Sequence, residues 1–517
     1  MTVSDEVGLA PTENLTAFRR WMIMFAITSS TTLYAMTILI VSVVLPQMQG
    51  SLSATPDQIS WVMTFNILAT AVVTPMSGWL AARFGWRKVM LYSQAGFCVS
   101  TFFCGFANSL EALVTFRVFQ GAFGAPTIPL AQAIILAIFP RRQHSLVTSI
   151  FGMGVVVGPI FGPIFGGYLT EMYNWRYAFY MLVPLAGIGY ISLWVYLNDG
   201  GRKGNVRFDW TGFLLLSVSL ASLQLMLDRG QRLDWLQSNE IILELVIGCC
   251  TLYAFLIHSY MANRPFLDLR LLADRNYSLG LLVVLIYGML NFTPMVVMPP
   301  MLKDLGGYPE AIIGILLGAR GSGAVVGFFI AGLLGRFDPK VGMTVGFGLQ
   351  ATSGLHMLTF DMNVGVSQIL LASFVQGMAV GLIWVPLVVA TFATLDKKFL
   401  AETTAVFHLL RNIGSSIFIS LSVTTVVRTS TLNYARMTEF VSPFNEILDF
   451  PQYLKFWNIE SIVGLARLAT EIKDQSDMIG FLNAFGLYTF ASVIVLPLVW
   501  MVRMPKSALG KNKSNIS

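Results

Sequence analysis

GMGVVVGPIFGPIFGG, residues Gly152 to Gly167, decides the fold class, because it places six glycines and two prolines inside a hydrophobic stretch of membrane-spanning length. Such a density of glycine and proline would break a helix in water. A membrane-spanning helix tolerates it, since neighbouring helices and local backbone adjustments satisfy the freed backbone groups. A spacing of four residues puts glycines on one helix face, against which another helix can press its backbone. The glycines with this spacing are Gly154, Gly158, Gly162 and Gly166.

Two Gly-Pro pairs in this segment, Gly158-Pro159 and Gly162-Pro163, go beyond what close helix packing requires. They resemble the antiporter motif on the fifth span of exporters in the major facilitator superfamily. In that family the stripe is thought to seal the outer end of the interface between two halves, which favours export over uptake. A generic packing face of small residues is the alternative that the spacing leaves open.

The composition is that of a polytopic membrane protein. The 517 residues are 55% hydrophobic and 12% charged, with mean hydropathy +0.69, whereas soluble proteins carry about 25% charged residues. An isoelectric point near 9.1 does not indicate nucleic-acid binding, because Lys and Arg collect in the cytoplasmic loops of membrane proteins. The cysteines have no spacing suited to disulfides or zinc, so we expect no metal site and no cofactor. They are Cys98, Cys104, Cys249 and Cys250.

Apolar segments of about 20 residues predict roughly 14 membrane spans. They cover 21–45, 58–82, 88–107, 110–139, 145–170, 176–197, 209–228, 238–260, 276–301, 310–335, 341–360, 367–394, 402–428 and 478–503. No cleavage signal precedes the first span, which is therefore predicted to be retained. An even number of spans puts both termini on one side of the membrane. Most of the 33 Lys and Arg residues then lie on that side, which the positive-inside rule assigns to the cytoplasm.

An internal repeat divides the chain into two halves. GWLAARFGWRK at 78–88 has a weaker echo in GLLGRFDPK at 332–340, and Gln120-Gly121 is echoed by Gln376-Gly377 at nearly the same offset. Duplicated halves are typical of secondary transporters. With the resemblance, this predicts an all-α polytopic membrane protein with the major facilitator fold, two pseudo-repeated six-helix halves and two inserted central helices. The predicted parts are a cytoplasmic tail 1–20, the halves 21–197 and 276–503, an inserted pair of spans 198–275, a cytoplasmic tail 504–517 and, inside the second half, a long periplasmic loop 429–477.

A tight basic turn follows the second predicted span. Its charges can clamp helix ends or carboxylates on the cytoplasmic side, while its glycines allow close helix approach. The turn resembles the superfamily's signature loop G-x-L-a-D-r-x-G-r-k, although Ala82 stands at its acidic position. The resemblance implies a gating role, and plain positive-inside topology is the alternative explanation of the charges. The residues concerned are Gly78, Arg83, Gly85, Arg87 and Lys88.

Three arginines and a histidine lie inside predicted spans. A membrane arginine costs roughly 2.5 to 3.5 kcal/mol on insertion scales, so it normally faces a cavity or a polar partner. Arg117, three residues before Gln120-Gly121, resembles a family motif in which the arginine is implicated in proton transfer. The sequences around Arg320 and Arg411 also resemble family patterns. His408, one turn before Arg411, can titrate near physiological pH, although a membrane histidine is more often a hydrogen-bonded packing residue.

The acidic residues depart from the family pattern. Fourteen-span drug exporters usually carry an acid on span 1, where this chain has Thr37. The other acids lie near span ends, so the proton-exchanging group is unassigned and strongly cation-selective transport is disfavoured. These acids are Glu111, Asp228, Glu240, Glu244, Glu310 and Glu402. The candidate set for proton coupling and transport is Arg117, Arg320, Glu402, His408 and Arg411.

Aromatic, methionine and amide side chains within the spans are candidates for an adaptable, mainly apolar substrate cavity. Periodicity alone does not separate positions that face a cavity from positions that face lipid. The predicted lining residues are Phe65, Asn66, Gln120, Met295, Met298, Gln376 and Trp384.

Two further strings, DRGQRLDW at 228–235 and FLDLRLLADRNYSLG at 266–280, resemble EmrB-type exporters of this superfamily. The resemblance implies a bacterial inner-membrane protein that works with a periplasmic membrane-fusion adaptor (EmrA-like) and an outer-membrane channel (TolC-like). In loop 429–477, apolar residues from Ile459 to Ile472 have helical spacing and predict an amphipathic helix. This helix is either a lid on the transporter's own outer surface or a docking surface for the adaptor.

The expected function is proton-driven efflux of small amphiphilic drugs or toxic compounds by alternating access within the lipid membrane. The chain has no G-x-x-x-x-G-K-[ST] motif, so a nucleotide is not the expected energy source. A dedicated metabolite exporter and an uptake symporter of the same superfamily are the alternatives. An intramembrane enzyme is disfavoured, because the sequence shows no nucleophile with its base and no His-rich or paired-acid motif.

Overall fold

A computed structural model describes residues 15–197, 208–263, 265–334, 338–396, 399–442, 444–445, 448, 457–459 and 461–502. Most of the predicted tail 1–20, all of 504–517 and the start of the inserted segment lie outside these residues. The side chains of Pro163 and Glu310 also lie outside the description. Within it, the regular elements are all helical, as the sequence predicts.

The helices follow the predicted order of two halves with an inserted pair. The first half contains α1 (Ala17–Ser51), α2 (Pro56–Val73), α3 (Ser77–Phe84), α4 (Trp86–Phe106), α5 (Leu110–Gly124), α6 (Thr127–Ile138), α7 (His144–Met172), α8 (Trp175–Tyr180) and α9 (Leu182–Tyr196). The inserted pair is α10 (Trp210–Arg229) and α11 (Asn239–Met261). The second half contains α12 (Arg275–Pro300), α13 (Glu310–Leu333), α14 (Pro339–Met357), α15 (Val366–Thr391), α16 (Leu400–Thr438), α17 (Ile462–Ile494) and α18 (Leu496–Met501).

Prolines account for two breaks within spans. Pro75 lies in the 3-10 turn Thr74–Met76 that joins α2 to α3, and Pro126 separates α5 from α6. Proline lacks the backbone donor that a continuous helix requires at that position. Each pair of short helices therefore forms a single bent span.

Thirteen helical segments among the described residues are long and apolar enough to cross a membrane, whereas the sequence predicts about 14. The difference is the predicted span 341–360. This segment does form a helix, α14, but Lys340, Gln350 and His356 make it less apolar than the others. Because α14 packs against α15 and α17, it remains part of the helical bundle.

Close backbone contacts at matching glycines show the internal repeat. Gly121 of α5 lies against the carbonyl oxygen of Asn66 on α2, and Gly377 of α15 lies against the carbonyl oxygen of Arg320 on α13. A side chain at either glycine would overlap that oxygen. The Gln-Gly pairs that the sequence matched therefore occupy equivalent places in the two halves.

The glycine stripe of α7 packs against α1 within the same half. A Cβ atom at Gly158 would overlap the Thr32 carbonyl oxygen, and one at Gly162 would lie 2.9 Å from the Met36 carbonyl oxygen. The Thr32 hydroxyl donates to the Gly154 carbonyl oxygen over 2.8 Å. The stripe thus meets another helix as the spacing predicts, but in this conformation that helix belongs to its own half rather than to the opposite one.

The predicted loop 429–477 is shorter than expected. α16 continues to Thr438, and α17 begins at Ile462. The apolar residues from Ile462 to Ile472 are helical, as their spacing predicts, and they form the first turns of α17. Helical periodicity was correct, but it does not reveal where a helix joins the next span. Much of the remaining connection lies outside the described residues.

Candidate functional site

The bundle has a near end, where α1 begins, and a far end, where α1 ends. At the near end the two halves are in contact along α7 and α13. The Ser145 hydroxyl donates to the Ala331 carbonyl oxygen over 3.2 Å. A Cβ atom at Gly332 would lie 2.9 Å from the Ser149 hydroxyl oxygen, so glycine permits this approach. The interface between the halves is therefore closed at the near end.

The same two helices diverge toward the far end. Gly321 of α13 still contacts Ile160 of α7. Gly318 and Gly314 continue the same face of α13, and a Cβ atom at either would have no described atom within 4 Å. Tyr168, near the far end of α7, is 59% exposed. The two helices are therefore in contact at the near end and separate toward the far end.

Arg117, on α5, is only 1% exposed and is held by neutral acceptors. Its Nε donates to the Val62 carbonyl oxygen over 3.2 Å, and its Nη1 donates to the side-chain oxygen of Gln120. The Gln120 amide in turn donates to the Thr101 hydroxyl over 2.7 Å. Asn66 donates to the Arg117 carbonyl oxygen over 2.8 Å. These bonds fix the guanidinium between α2, α4 and α5 without a carboxylate.

Arg320, on α13, is held in a corresponding way in the second half. Its Nε donates to the side-chain oxygen of Gln376. Its Nη2 donates to the side-chain and backbone oxygens of Asn291 over 2.6 and 2.7 Å, and its Nη1 lies 2.9 Å from the sulfur of Met295. In each half, an arginine therefore donates to the glutamine that precedes a closely packed glycine. The arginine lies on α5 in the first half and on α13, which is equivalent to α2, in the second.

Arg411, on α16, has the fewest polar partners of the three arginines. Its Nε and Nη2 donate to the side-chain oxygen of the adjacent Asn412 over 3.3 and 3.0 Å. Its guanidinium carbon lies 5.8 Å from the centre of the Trp384 ring, within the range of a cation–π contact. Tyr287 packs on the same tryptophan at 5.3 Å between ring centres. Half-buried Arg411 therefore has guanidinium N–H donors that form no hydrogen bond with any other helix of the described chain.

None of these three arginines is ion-paired with a carboxylate in the described part of the chain. Carboxylates do pair with a cation at the inserted helices, where Arg229 contacts Glu240 and Glu244. Buried charges without counter-ions keep a strong field, because the surrounding protein screens them poorly. The cavity region therefore carries positive electrostatic potential.

His408 belongs to the closed near end. Its Nε2 lies 2.7 Å from the side-chain oxygen of Gln132 on α6. Its ring packs against Trp384 and Phe407, with 5.7 Å between centres in both cases. The contact joins the second half to the first, which the sequence did not indicate, because the partners are 276 residues apart.

The basic turn after α3 also lies at the near end. Gly85 has a φ of 81°, a conformation that favours glycine. The Arg87 guanidinium donates to the Trp194 carbonyl oxygen over 2.9 Å, and Lys88 is exposed. The turn is therefore anchored to α9 of its own half.

Gly78 brings α3 into contact with the second half. A Cβ atom at Gly78 would lie 2.7 Å from the Cα of Glu402. The carboxylate of Glu402 accepts the Asp268 backbone N–H over 2.8 Å. The guanidinium of Arg83, on the same short helix, lies 6.0 Å from the Trp79 ring centre. Glu402 is thus positioned where α3, α16 and the segment after α11 meet.

The predicted lining residues fall into different surroundings. Phe65 is half-buried and packs edge-to-face against Trp61, with 6.5 Å between ring centres. Met298 is 1% exposed inside an apolar cluster of the second half, so it is a core residue in this conformation rather than a cavity surface. The others contact the arginines or support their partners: Asn66, Gln120, Met295, Gln376 and Trp384.

Span 1 contributes no acid to this region. Thr37, at the position where the family pattern has an acid, is 2% exposed. Its hydroxyl donates to the Leu33 carbonyl oxygen over 2.9 Å, so it only completes a helical turn. The described residues also contain no group of three His, Cys, Asp or Glu side chains that could hold a metal ion.

The inserted helix α10 lies across a second seam between the halves, at α2 and α16. The Thr64 hydroxyl of α2 donates to the carboxylate of Asp228 over 2.5 Å. The Ser420 hydroxyl of α16 donates to the Leu227 carbonyl oxygen over 2.7 Å. Consecutive residues of α10 thus bind both halves near the far end. The D-R-G string marks this position in the sequence, but only the fold shows what it contacts.

Comparison with known proteins supports the architecture. The family model described as Major Facilitator Superfamily matches residues 27–419. The "Multidrug export protein EmrB" of Haemophilus influenzae is 30% identical over 496 residues, covering 94% of this chain and 96% of the relative. The "Fatty acid resistance protein FarB" of Neisseria gonorrhoeae is 29% identical over 475 residues, covering 90% and 92%. The crystal structure of the human organic anion transporter MFSD10 matches with TM-score 0.61 at 10% identity, covering 93% of this chain and 99% of that chain, which shows the fold alone.

Proposed function

The chain belongs to the major facilitator superfamily, and on that premise we propose that it is a proton-driven efflux permease for small amphiphilic drugs or toxic compounds. The observation that carries the proposal is the interface between the halves, where α7 and α13 are in contact at the near end and separate toward the far end. Three arginines lie within the spans of the two halves with no carboxylate partner among the described residues. A cavity that is closed at one end is what alternating access requires of each conformation. Relatives with names of multidrug export support efflux as the direction of transport.

The near end is proposed to face the cytoplasm. Lys and Arg collect there, whereas the far-end loops 52–55, 107–109 and 358–365 contain neither residue type and the far-end connections 230–238 and 301–309 contain one each, Arg232 and Lys303. The positive-inside rule is most informative for such short loops. The basic residues at the near end include Arg19, Arg20, Arg87, Arg141, Arg142, Arg275 and Lys340. The structure then represents an outward-open conformation, and both termini are proposed to be cytoplasmic in a bacterial inner membrane.

Anionic or neutral amphiphiles are the proposed substrates. A cation in the cavity would be repelled by Arg117, Arg320 and Arg411, and no deep acid on span 1 would compensate for that repulsion. An anionic group could bind the free donors of Arg411, since charge-assisted hydrogen bonds are stronger than neutral ones. The relative named for fatty acid resistance supports substrates of this kind.

Proton coupling is proposed to involve the arginines together with Glu402 and His408. Arginine does not release its proton in proteins, so Arg117, Arg320 and Arg411 act by holding neutral partners or an anion in place. The groups of the set that can exchange protons are Glu402 and His408. Both lie at the closed near end, which links proton release to the movement of that end.

A periplasmic adaptor and an outer-membrane channel are proposed partners. At the far end, Phe440, Phe444, Ile462 and Val463 are 70%, 93%, 87% and 63% exposed. Their exposure does not support the alternative of a lid packed on the transporter's own surface. Apolar side chains exposed beside the membrane favour contact with another protein.

The proposed function can be tested by drug susceptibility of a pump-deficient bacterial host that expresses this chain, with and without its adaptor. We expect resistance to anionic and neutral amphiphiles but not to cationic ones, and greater resistance with the adaptor. Arg411→Gln should reduce resistance to the anionic compounds most. Arg428→Gln provides the matched control, because Arg428 is exposed on the same helix.

Three results would contradict parts of this proposal. Resistance mainly to cations would refute the substrate class, and resistance that is independent of the adaptor would refute the tripartite assembly. Acid-inside inverted vesicles that contain the protein but do not accumulate substrate would argue against proton antiport and favour an uptake symporter.

A further inference from the structure

The contact between Gln132 and His408 is a buried polar bridge between the halves. Gln132 lies on α6 of the first half and His408 on α16 of the second, and each is 2% exposed. Their bond of 2.7 Å is isolated, because the other ring nitrogen of His408 and the side-chain nitrogen of Gln132 have no hydrogen-bond partner in the described part of the chain. The bridge can form only while the near end is closed.

This geometry accepts a neutral imidazole and disfavours a charged one. With Nε2 protonated, a neutral His408 donates to the Gln132 oxygen, and Nδ1 needs no acceptor. A protonated imidazole has a second N–H on Nδ1, and that atom has no hydrogen-bond partner among the described residues. An unsatisfied charged donor in a dry interior is far more costly than an unsatisfied neutral acceptor.

The charged surroundings of His408 act in the same direction. Arg411 lies one turn along α16 and shares the Trp384 ring with His408, so a second positive charge here would be repelled. Among the other helices, α6 and α15 contribute no acidic or basic side chain, and α12 contributes Tyr287 behind Trp384. From α1, Tyr34 is close enough to interact with the Arg411 charge. No carboxylate in this set would stabilise an imidazolium.

We propose that Gln132 and His408 form a latch that closes the cytoplasmic side only when His408 is neutral. The assignment of the latch to the cytoplasmic side rests on the orientation given in the proposed function. The latch requires a proton on His408 to leave toward the cytoplasm before the protein can open outward. That order prevents the outward-open state from forming with the proton still bound, as an exporter driven by inward proton flow requires.

The latch can be tested by labelling a cysteine at the closed seam. In a background in which Cys98, Cys104, Cys249 and Cys250 are replaced by serine, Ser149→Cys places a thiol where α7 meets α13. The rate at which a membrane-impermeant maleimide labels this thiol in inverted vesicles reports opening of the near end. Dividing this rate by the labelling rate of a model thiol at the same pH corrects for the fraction of thiolate. Because the latch forms only with a neutral His408, we expect labelling to be several-fold faster at pH 5.5 than at pH 7.5.

Three variants separate the latch from other causes. His408→Gln should keep an amide bond to Gln132 and reduce the pH effect to less than about twofold. Gln132→Leu should speed labelling several-fold at pH 7.5, because His408 loses its partner. Gln350→Leu is the matched control, since this buried glutamine accepts a bond from Tyr488 within the second half and should leave labelling unchanged.

The proposal is overturned if the parent shows no pH dependence, if His408→Gln retains it, or if Gln132→Leu labels no faster than the Gln350→Leu control. The assay uses no substrate, so it succeeds or fails independently of the export experiment. Labelling of Ser149→Cys in right-side-out vesicles instead of inverted ones would also overturn it, because the latch would then not close the cytoplasmic side.

Discussion

Replacing Gly158 with alanine tests whether the glycine stripe of α7 holds the first half together. The added Cβ would overlap the Thr32 carbonyl oxygen and lie 2.9 Å from the Met36 backbone nitrogen. Because non-bonded heavy atoms pack best at about 3.5 to 4.0 Å, α7 must move away from α1 by about 1 Å. Both partners are backbone atoms of a long helix, so rotation of a side chain cannot relieve the overlap.

The expected cost follows from this displacement. Overpacking by one methyl group in a tight interior costs about 1 to 3 kcal/mol. The bond from the Thr32 hydroxyl to the Gly154 carbonyl oxygen, 2.8 Å long, lies one turn away and would lengthen. Losing it adds about 0.5 to 1.5 kcal/mol. We therefore expect a destabilisation of about 2 to 4 kcal/mol for Gly158→Ala.

Thermal unfolding in detergent, followed by intrinsic tryptophan fluorescence, measures this effect. Gly167→Ala is the control, because its Cβ would meet only the Val43 side chain at an ordinary 3.6 Å. Gly158→Ala should unfold at a clearly lower temperature than the wild type, and Gly167→Ala should not. Equal unfolding temperatures for the two variants would refute the packing argument. Faster seam labelling without lower stability would show that the stripe acts between the halves instead.

Three further substitutions test individual contacts. Arg117→Ala should abolish proton-driven efflux while membrane abundance stays largely intact, and retained efflux would exclude its proposed role. Asp228→Asn and Thr64→Val should each weaken the contact between α10 and α2 and slow efflux by a similar factor. The double variant should be no slower than either single variant, and additive effects would contradict a direct contact between the two side chains. Gly85→Ala should cost about 1 to 3 kcal/mol in thermal unfolding, because a φ of 81° with a ψ of 145° is a backbone conformation that only glycine adopts readily. Gly50→Ala, with open space around it, should not destabilise.

Local spacing explains one contact of the site. Arg117 and Gln120 are three residues apart on one helix, so their contact follows from helical geometry. The matching pair Arg320 and Gln376 is separated by 56 residues, and only the packing of α13 on α15 brings it together. The sequence predicts that both arginines lie in membrane spans. It does not predict that Arg117 shares a helix with its glutamine, whereas Arg320 lies on the helix next to that of its glutamine.

For two segments the sequence predicts the local pattern but not the element that the segment joins or contacts. The stripe from Gly154 to Gly166 has the spacing for close contact, and the fold directs it to α1 rather than across the interface. The apolar period after Ile459 is helical, but the helix is continuous with α17. Periodicity defines a face, whereas the partner of that face depends on the path of the whole chain.

The sequence by itself determined the all-α membrane fold, its repeat and its basic near end, because hydropathy, spacing and charge act within one segment. Only the tertiary structure decided that the near end is closed and the far end open, and that α10 crosses the second seam. It also decided that Gln132 meets His408. These features depend on how two halves are placed relative to each other, and the same helices can pack with either end closed, so no local pattern specifies them.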